Sequence, residues 1–139
     1  MFTVNCKVGR LIEIRVVTIE HANETKELRA AFLRAVEAAS RRPAVIVADY
    51  RQLIILDPNA AEGFLENFRT GSSILVERSA IVLSPIRATL ALQIERIVRD
   101  AHSTYRKVFR VGRRAEAWLG EVLTEPEQKR MCDFLAEVN

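Results

Sequence analysis

The sequence is poor in the residues on which much binding and redox chemistry depends. It has five glycines, two cysteines, two histidines and one tryptophan in 139 residues. The glycines are scattered and form neither GxxxxGK[ST] nor GxGxxG, so no glycine-rich loop is available to cradle a nucleotide's phosphates. Cys6 and Cys132 lie far apart and outside any CxxC or metal-ligand spacing. They are read as free, mostly buried thiols of a reducing compartment. His21 falls between Glu20 and Glu24 across an expected turn, and His102 falls at an expected helix end. Neither gathers the partners that a metal centre or a nucleophile–histidine pair requires. No apolar run approaches the ~18 residues of a membrane span, and no charged segment followed by an apolar stretch opens the chain. The expectation is a cytoplasmic, non-enzymatic protein with no cofactor and no metal.

Charge is present in abundance but unevenly placed. The net +3 separates into a neutral stretch 1–77, a basic stretch 78–114 of net +7, and an acidic stretch 115–139 of net −4. A basic run can bind phosphate backbones. Here no aromatic residues interleave with the arginines as a stacking platform, so nucleic acid is not an expected partner.

Hydrophobic periodicity gives the plan. "FTVNCKV" and "LIEIRVVTI", joined at Gly9-Arg10, alternate as a β-hairpin does. Asn23 then caps a helix with Leu28, Phe32, Ala35, Val36 and Ala39 inward, ended by Arg41-Arg42-Pro43. "AVIVA" (44–48) and "SAIVL" (79–83) read as strands covered on both faces. A helix with Ala61, Phe64, Leu65 and Phe68 inward follows the first. A helix opened by Ser84-Pro85, with Leu90, Ile94, Ile97 and Val98 inward, follows the second. "RKVFRVG" (106–112) is the last strand, and the helix after it carries Ala115, Trp118, Leu119, Val122 and Leu123 inward. Thr124-x-x-Glu127 is a capping box for a further C-terminal helix over 124–139, with Met131, Phe134, Leu135 and Val138 on one side. The expectation is one α/β domain over 1–139 in the order ββαβαβαβαα. Its mixed sheet would have four to five strands and helices mainly on one face.

Within that plan, Asp49 ends a strand and Asp57 opens a helix. Asp57-Pro58 is first of all a helix start: the carboxylate caps free N–H groups and proline at the first helical position loses no hydrogen bond. Asp49 reads equally as a strand-end acid bonded to loop amides. Their spacing adds a resemblance. "DYRQLIILDPNAA" is similar to the loop of anti-sigma-factor antagonist (STAS) domains, D-x-S-G-x-x-x-x-D-S-S-G-L, with Asp49 and Asp57 at its two acidic positions. Ile55 and Leu56 stand at its buried apolar positions. The element order resembles that family over nearly the whole chain, and Ala115-Glu116-Ala117-Trp118-Leu119 resembles the ending of its divergent, lipid-transfer-like branch. The pattern departs where the family is phosphorylated: Pro58 and Asn59 replace the two serines, and Gln52 and Ala60 replace the glycines. If a phosphate is added, Ser72 and Ser73 are the candidates, although small residues ending a helix explain them as well. A phosphorelay receiver would need an acidic pair after its first strand and a lysine after its last, and this sequence has neither.

The resemblance implies a regulatory protein–protein interaction domain without the serine switch. Its partner surface would comprise Asp49, Asp57, Pro58, Asn59, Glu62, Glu66 and Arg69. An alternative is a module for a small molecule or lipid, with the basic stretch meeting anionic headgroups. A third is self-association to a homodimer through the hairpin edge or the C-terminal helix.

Overall fold

A computed structural model describes residues 1–21, 23–70 and 75–137. Val138 and the Ser72–Ser73 pair lie outside the described residues. The hairpin forms as its alternation dictates. β1 (Phe2–Val8) turns every second residue to solvent, whereas β2 (Leu11–Val16) is buried except for half-buried Arg15. The two pair antiparallel, Phe2 opposite Val16 and Asn5 opposite Glu13. Gly9 makes the turn at φ +59°, where an L side chain is strained, and a methyl there would also run into the Glu127 carboxylate.

β3 (Ala44–Asp49), β4 (Val76–Val82) and β5 (Arg106–Phe109) then add in sequence order, all parallel, giving a five-stranded mixed sheet β1-β2-β3-β4-β5. The crossovers are α1 (Glu24–Ala38), α2 (Pro58–Thr70) and α3 (Ala88–Asp100). Because each strand is added on the same side of the last, crossovers of one hand put all three helices on one face. Ile46 and Ala48 point there and join a core with Leu28, Phe64, Leu90 and Ile94. After β5 the chain returns behind the sheet as α4 (Gly112–Gly120) and α5 (Glu125–Ala136). Val45, Val47, Ala80 and Val82 meet Ala115, Leu119, Met131 and Phe134 on that side. Three helices thus cover one face and two the other, and every residue of β3 is buried.

Several local expectations change. Asn23 occupies the N-cap position, but its backbone is helical and its side chain makes no cap hydrogen bond. The Glu24 carboxylate instead accepts from the Glu20 N–H at 2.5 Å. Ser84-Pro85 forms a turn closed by Arg87 N–H to the Ser84 carbonyl, so α3 begins only at Ala88. β5 stops at Phe109 because the chain bends directly into α4. Neither cysteine is mostly buried: Cys6 is half-buried on the edge strand, and Cys132 is exposed beside the inward stripe of α5. Trp118 lies at the rim of the rear core, 5.7 Å from the Phe109 ring, with Arg78 and Lys107 at 5.0 and 4.9 Å. Leu119, one position on, takes the fully buried place.

Candidate functional site

The two acids of the 49–57 loop do opposite work. Asp49 follows Val45 and Val47 in alternation and therefore faces the rear layer, where it is 4% exposed. Arg51 donates to both of its oxygens, from Nε at 2.8 Å and from Nη2 at 3.0 Å, while Arg15 Nε donates at 3.0 Å. The same guanidiniums reach the end of α5: Arg15 donates to the Phe134 carbonyl and Arg51 to the Leu135 carbonyl, each at 2.7 Å. Both cations therefore satisfy carbonyls that a helix C-terminus leaves free. Burial would raise the Asp49 pKa, but the Arg51 and Arg15 hydrogen bonds outweigh it and hold the carboxyl below its usual range. Asp49 is thus a clamp between sheet and α5, and it is not available to a partner.

Asp57 does cap α2. Its Oδ1 accepts from the Ala60 N–H at 2.8 Å, and Pro58 takes the first helical position. Asp57, Pro58, Asn59, Glu62, Glu66 and Arg69 are all exposed, along one side of the helix whose other side buries Ala60, Phe64 and Phe68. Leu56 is buried as the loop pattern implies, but Ile55 is 57% exposed. The Gln93 side chain bonds both the N–H and the carbonyl of Leu56, so the loop is pinned to α3 with Ile54 and Ile55 turned outward.

The exposed side of α2 does not stand alone. Gly63 packs against Thr25 of α1 so closely that a methyl would collide with the threonine, and Asn67 donates to the Thr25 carbonyl at 2.8 Å. The two helices consequently flank an open groove of about 560 Å³. Asn59, Glu62 and Glu66 form one bank, and Lys26, Arg29 and Leu33 the other.

A second exposed feature lies at the carboxyl ends of the parallel strands. The loops after β3, β4 and β5 carry Ile54, Ile55, Ile86 and Val111, each between 49% and 77% exposed, with exposed Arg110, Arg113 and Arg114 beside the last.

Sequence reasoning missed the polar fastening of the rear layer. Buried Glu13 takes two bonds of 2.9 Å from Arg130 of α5. The Glu127 carboxylate completes the capping box and also accepts from the Arg10 N–H at 2.8 Å. The available signal was Glu13 and Arg15 inside an apolar strand. α5 accordingly packs on its own sheet. Among the described residues no three His, Cys, Asp or Glu side chains gather as a metal site, and no helix is long and apolar enough to cross a membrane. No protein-family model, curated protein or solved structure matches the chain.

Proposed function

We propose that the chain is a non-enzymatic regulatory domain that binds another protein through the groove between α1 and α2, in the manner of STAS domains but without their phosphoacceptor serine. The observation that carries this reading is the groove itself, because three of the residues expected at a partner surface line it and the other exposed ones continue along the same helix. Its banks carry opposite charges, and Leu33, 42% exposed, supplies an apolar contact between them. A partner segment with an apolar anchor flanked by both signs of charge fits that arrangement. With Pro58 and Asn59 in place of hydroxyls, occupancy follows partner concentration and not a covalent mark at that helix start. Asp49 contributes only by holding the sheet and α5 together. Affinity capture with the wild-type chain and an Asn59→Arg/Glu66→Arg variant tests the reading. A protein retained by the first and lost by the second, at unchanged melting temperature, supports it. Equal capture by both refutes the groove as the partner surface.

A second reading, contact with an anionic lipid surface, is favoured by the exposed isoleucines and adjacent arginines at the carboxyl edge of the sheet. Flotation with phosphatidylserine vesicles checks it. Salt-sensitive binding lost in Ile55→Glu/Ile86→Glu would favour this edge over the groove.

A further inference from the structure

Between α1, α2 and the front of the sheet lies a cavity of about 90 Å³ with predominantly apolar walls. Ile46, Ala48 and Ile81 form its floor, and Phe64 and Phe68 one wall. Arg29, Asn67, Thr70 and Ser79 also border it.

Two polar groups break the apolar lining in a way the protein leaves unanswered. Tyr105 is 9% exposed, and among the described residues its hydroxyl finds no acceptor for its proton. A buried hydroxyl without a partner is uncommon, because it keeps its desolvation cost. Beside it, the Arg106 guanidinium lies 4.0 Å from the Phe68 ring centre and 5.1 Å from that of Tyr105, and donates to Ser103 Oγ at 2.5 Å. It forms no ion pair among the described residues. The contrast with the other arginines of the sheet is direct: Arg10 pairs with Glu77 at 2.6 Å, Arg15 with Asp49 at 3.0 Å and Arg78 with Glu121 at 2.7 Å. Burial pushes the Arg106 pKa down, against the Tyr105 and Tyr50 phenols and a hydrogen-bonding approach of the Tyr105 oxygen, so the two groups face one another with the hydroxyl proton still unused. A cation without a counter-charge and a hydroxyl proton without an acceptor among the described residues therefore line the same small, mostly apolar space.

We propose that this cavity binds a small amphipathic monocarboxylate, with its carboxylate taking hydrogen bonds from Arg106 and Tyr105 and its short alkyl tail over Ile46, Ala48 and Ile81. The carboxylate supplies the counter-charge that Arg106 lacks and accepts the proton that Tyr105 cannot otherwise donate. An apolar cavity of ~150 Å³ admits benzene. The smaller volume here suits a tail of about three or four carbons, so the shortest acids should bind best, and neither a lipid with two chains nor a bare phosphate matches the lining. The site is separate from the α1–α2 groove, although Arg29, Leu33 and Asn67 border both, and it holds whether or not a protein partner occupies that groove.

The test is titration of the full chain with butyrate, hexanoate and octanoate, followed by methyl NMR and by calorimetry. 1-Hexanol serves as the tail-only control and inorganic phosphate as the anion-only control. The expected result is saturable binding of at least one carboxylate, shifting the Ile46 and Ile81 methyls, with hexanol and phosphate at least tenfold weaker. Arg106→Gln is expected to weaken that binding tenfold or more. Ala48→Val, which narrows the floor and leaves Arg106 in place, is expected to shift preference further towards the shortest acid, and it carries the test if Arg106→Gln fails to fold. Absence of saturable binding by all three acids would overturn the proposal. So would hexanol binding as tightly as hexanoate, or affinities unchanged in folded forms of both variants.

Discussion

Behind the sheet, charge fastens the helices: Asp49 to Arg15 and Arg51, Glu13 to Arg130, and Glu127 to the Arg10 amide. In front, α2 and α3 rest on apolar packing and a few neutral bonds, such as Asn67 to the Thr25 carbonyl and Gln93 to Leu56. Among the described residues charge fastens only the start of α1 there, where buried Glu24 accepts from the N-terminal ammonium at 2.6 Å. The rear is closed at its carbonyl ends by arginine. The front is left with a groove, a cavity and, at the cavity, the Arg106 guanidinium, which forms no ion pair among the described residues. The difference follows from chain order. Crossover helices are held at both ends by the strands they join, so packing suffices for them. The final helix has a strand at neither end and needs specific bonds to fix its place. Polar groups spent on the rear layer are therefore structural, and a polar group left unanswered in front is a candidate for binding.

The largest effect should come from breaking the rear clamp. Asp49→Ala leaves Arg15 and Arg51 with their carboxylate removed and the end of α5 less firmly held, and is expected to cost about 3 kcal/mol, since removing one partner of a buried pair strands the other charge. Urea unfolding reads it directly. A cost below ~1 kcal/mol, the ordinary value for exposed pairs, would erase the distinction between the two faces.

Acid offers a milder way to weaken the same layer. The Asp49 and Glu127 carboxyls are both held below their usual range, in each case because hydrogen bonds from neighbouring groups outweigh the opposing effect of burial. Their folded pKa values lie below the unfolded ones, so the stability they contribute is fully present above about pH 4.5 and is lost as pH falls through the folded values. Trp118 stands at the rim of this layer. Its fluorescence should therefore change below pH 4 before the front-core methyls of α2 and α3 respond, those near Glu24 of α1 being set apart because the N-terminal ammonium also holds that carboxyl low. Simultaneous change on both faces would show that the layers unfold as one unit.

The sheet was legible in the sequence because its evidence is local: alternation in the hairpin, unbroken apolar runs at 44–48 and 79–83, and helical stripes between them. Asp57 was legible for the same reason, since Asp-Pro states a helix start within two residues. Asp49 was not. Eight positions from Asp57 in sequence, it faces the opposite side of the sheet, and its network joins residues far apart in the chain: Arg15 lies 34 positions from it, and the end of α5 lies 119 positions from Arg15 and 84 from Arg51. Strand alternation alone could have separated the two acids: Asp49 shares the parity of Val45 and Val47, which face away from α2. The Gly63–Thr25 contact that shapes the groove also depends on a long-range meeting, and a lone glycine inside a helix does not announce what it approaches. Ile55 escaped the loop pattern because the Gln93 bonds to Leu56 decide which apolar side chain turns inward.

A smaller effect belongs to the cap. Asp57→Ala removes one hydrogen bond at an exposed helix start and should cost about 1 kcal/mol. Together with Asp49→Ala it sets the two acids of one loop on separate scales. A loss equal to that of Asp49→Ala would mean that Asp57 has a partner beyond the Ala60 amide.

The smallest change should have the opposite sign. Tyr105→Phe deletes a buried hydroxyl whose proton finds no acceptor among the described residues, and relieving such a group returns part of its desolvation penalty, so a gain of about 0.5–1 kcal/mol is expected. On the rear face, deleting a bonded group such as Glu13 or Asp49 should instead destabilise. A residue that lowers stability while lining a cavity is the kind retained for binding. Thermal melts of Tyr105→Phe with and without butyrate therefore separate two roles. Higher stability alone with a smaller shift on adding the acid ties the hydroxyl to the ligand. A loss of ~1 kcal/mol or more without ligand would show that the hydroxyl is satisfied in solution, and that the front face is fastened by polar bonds as the rear is.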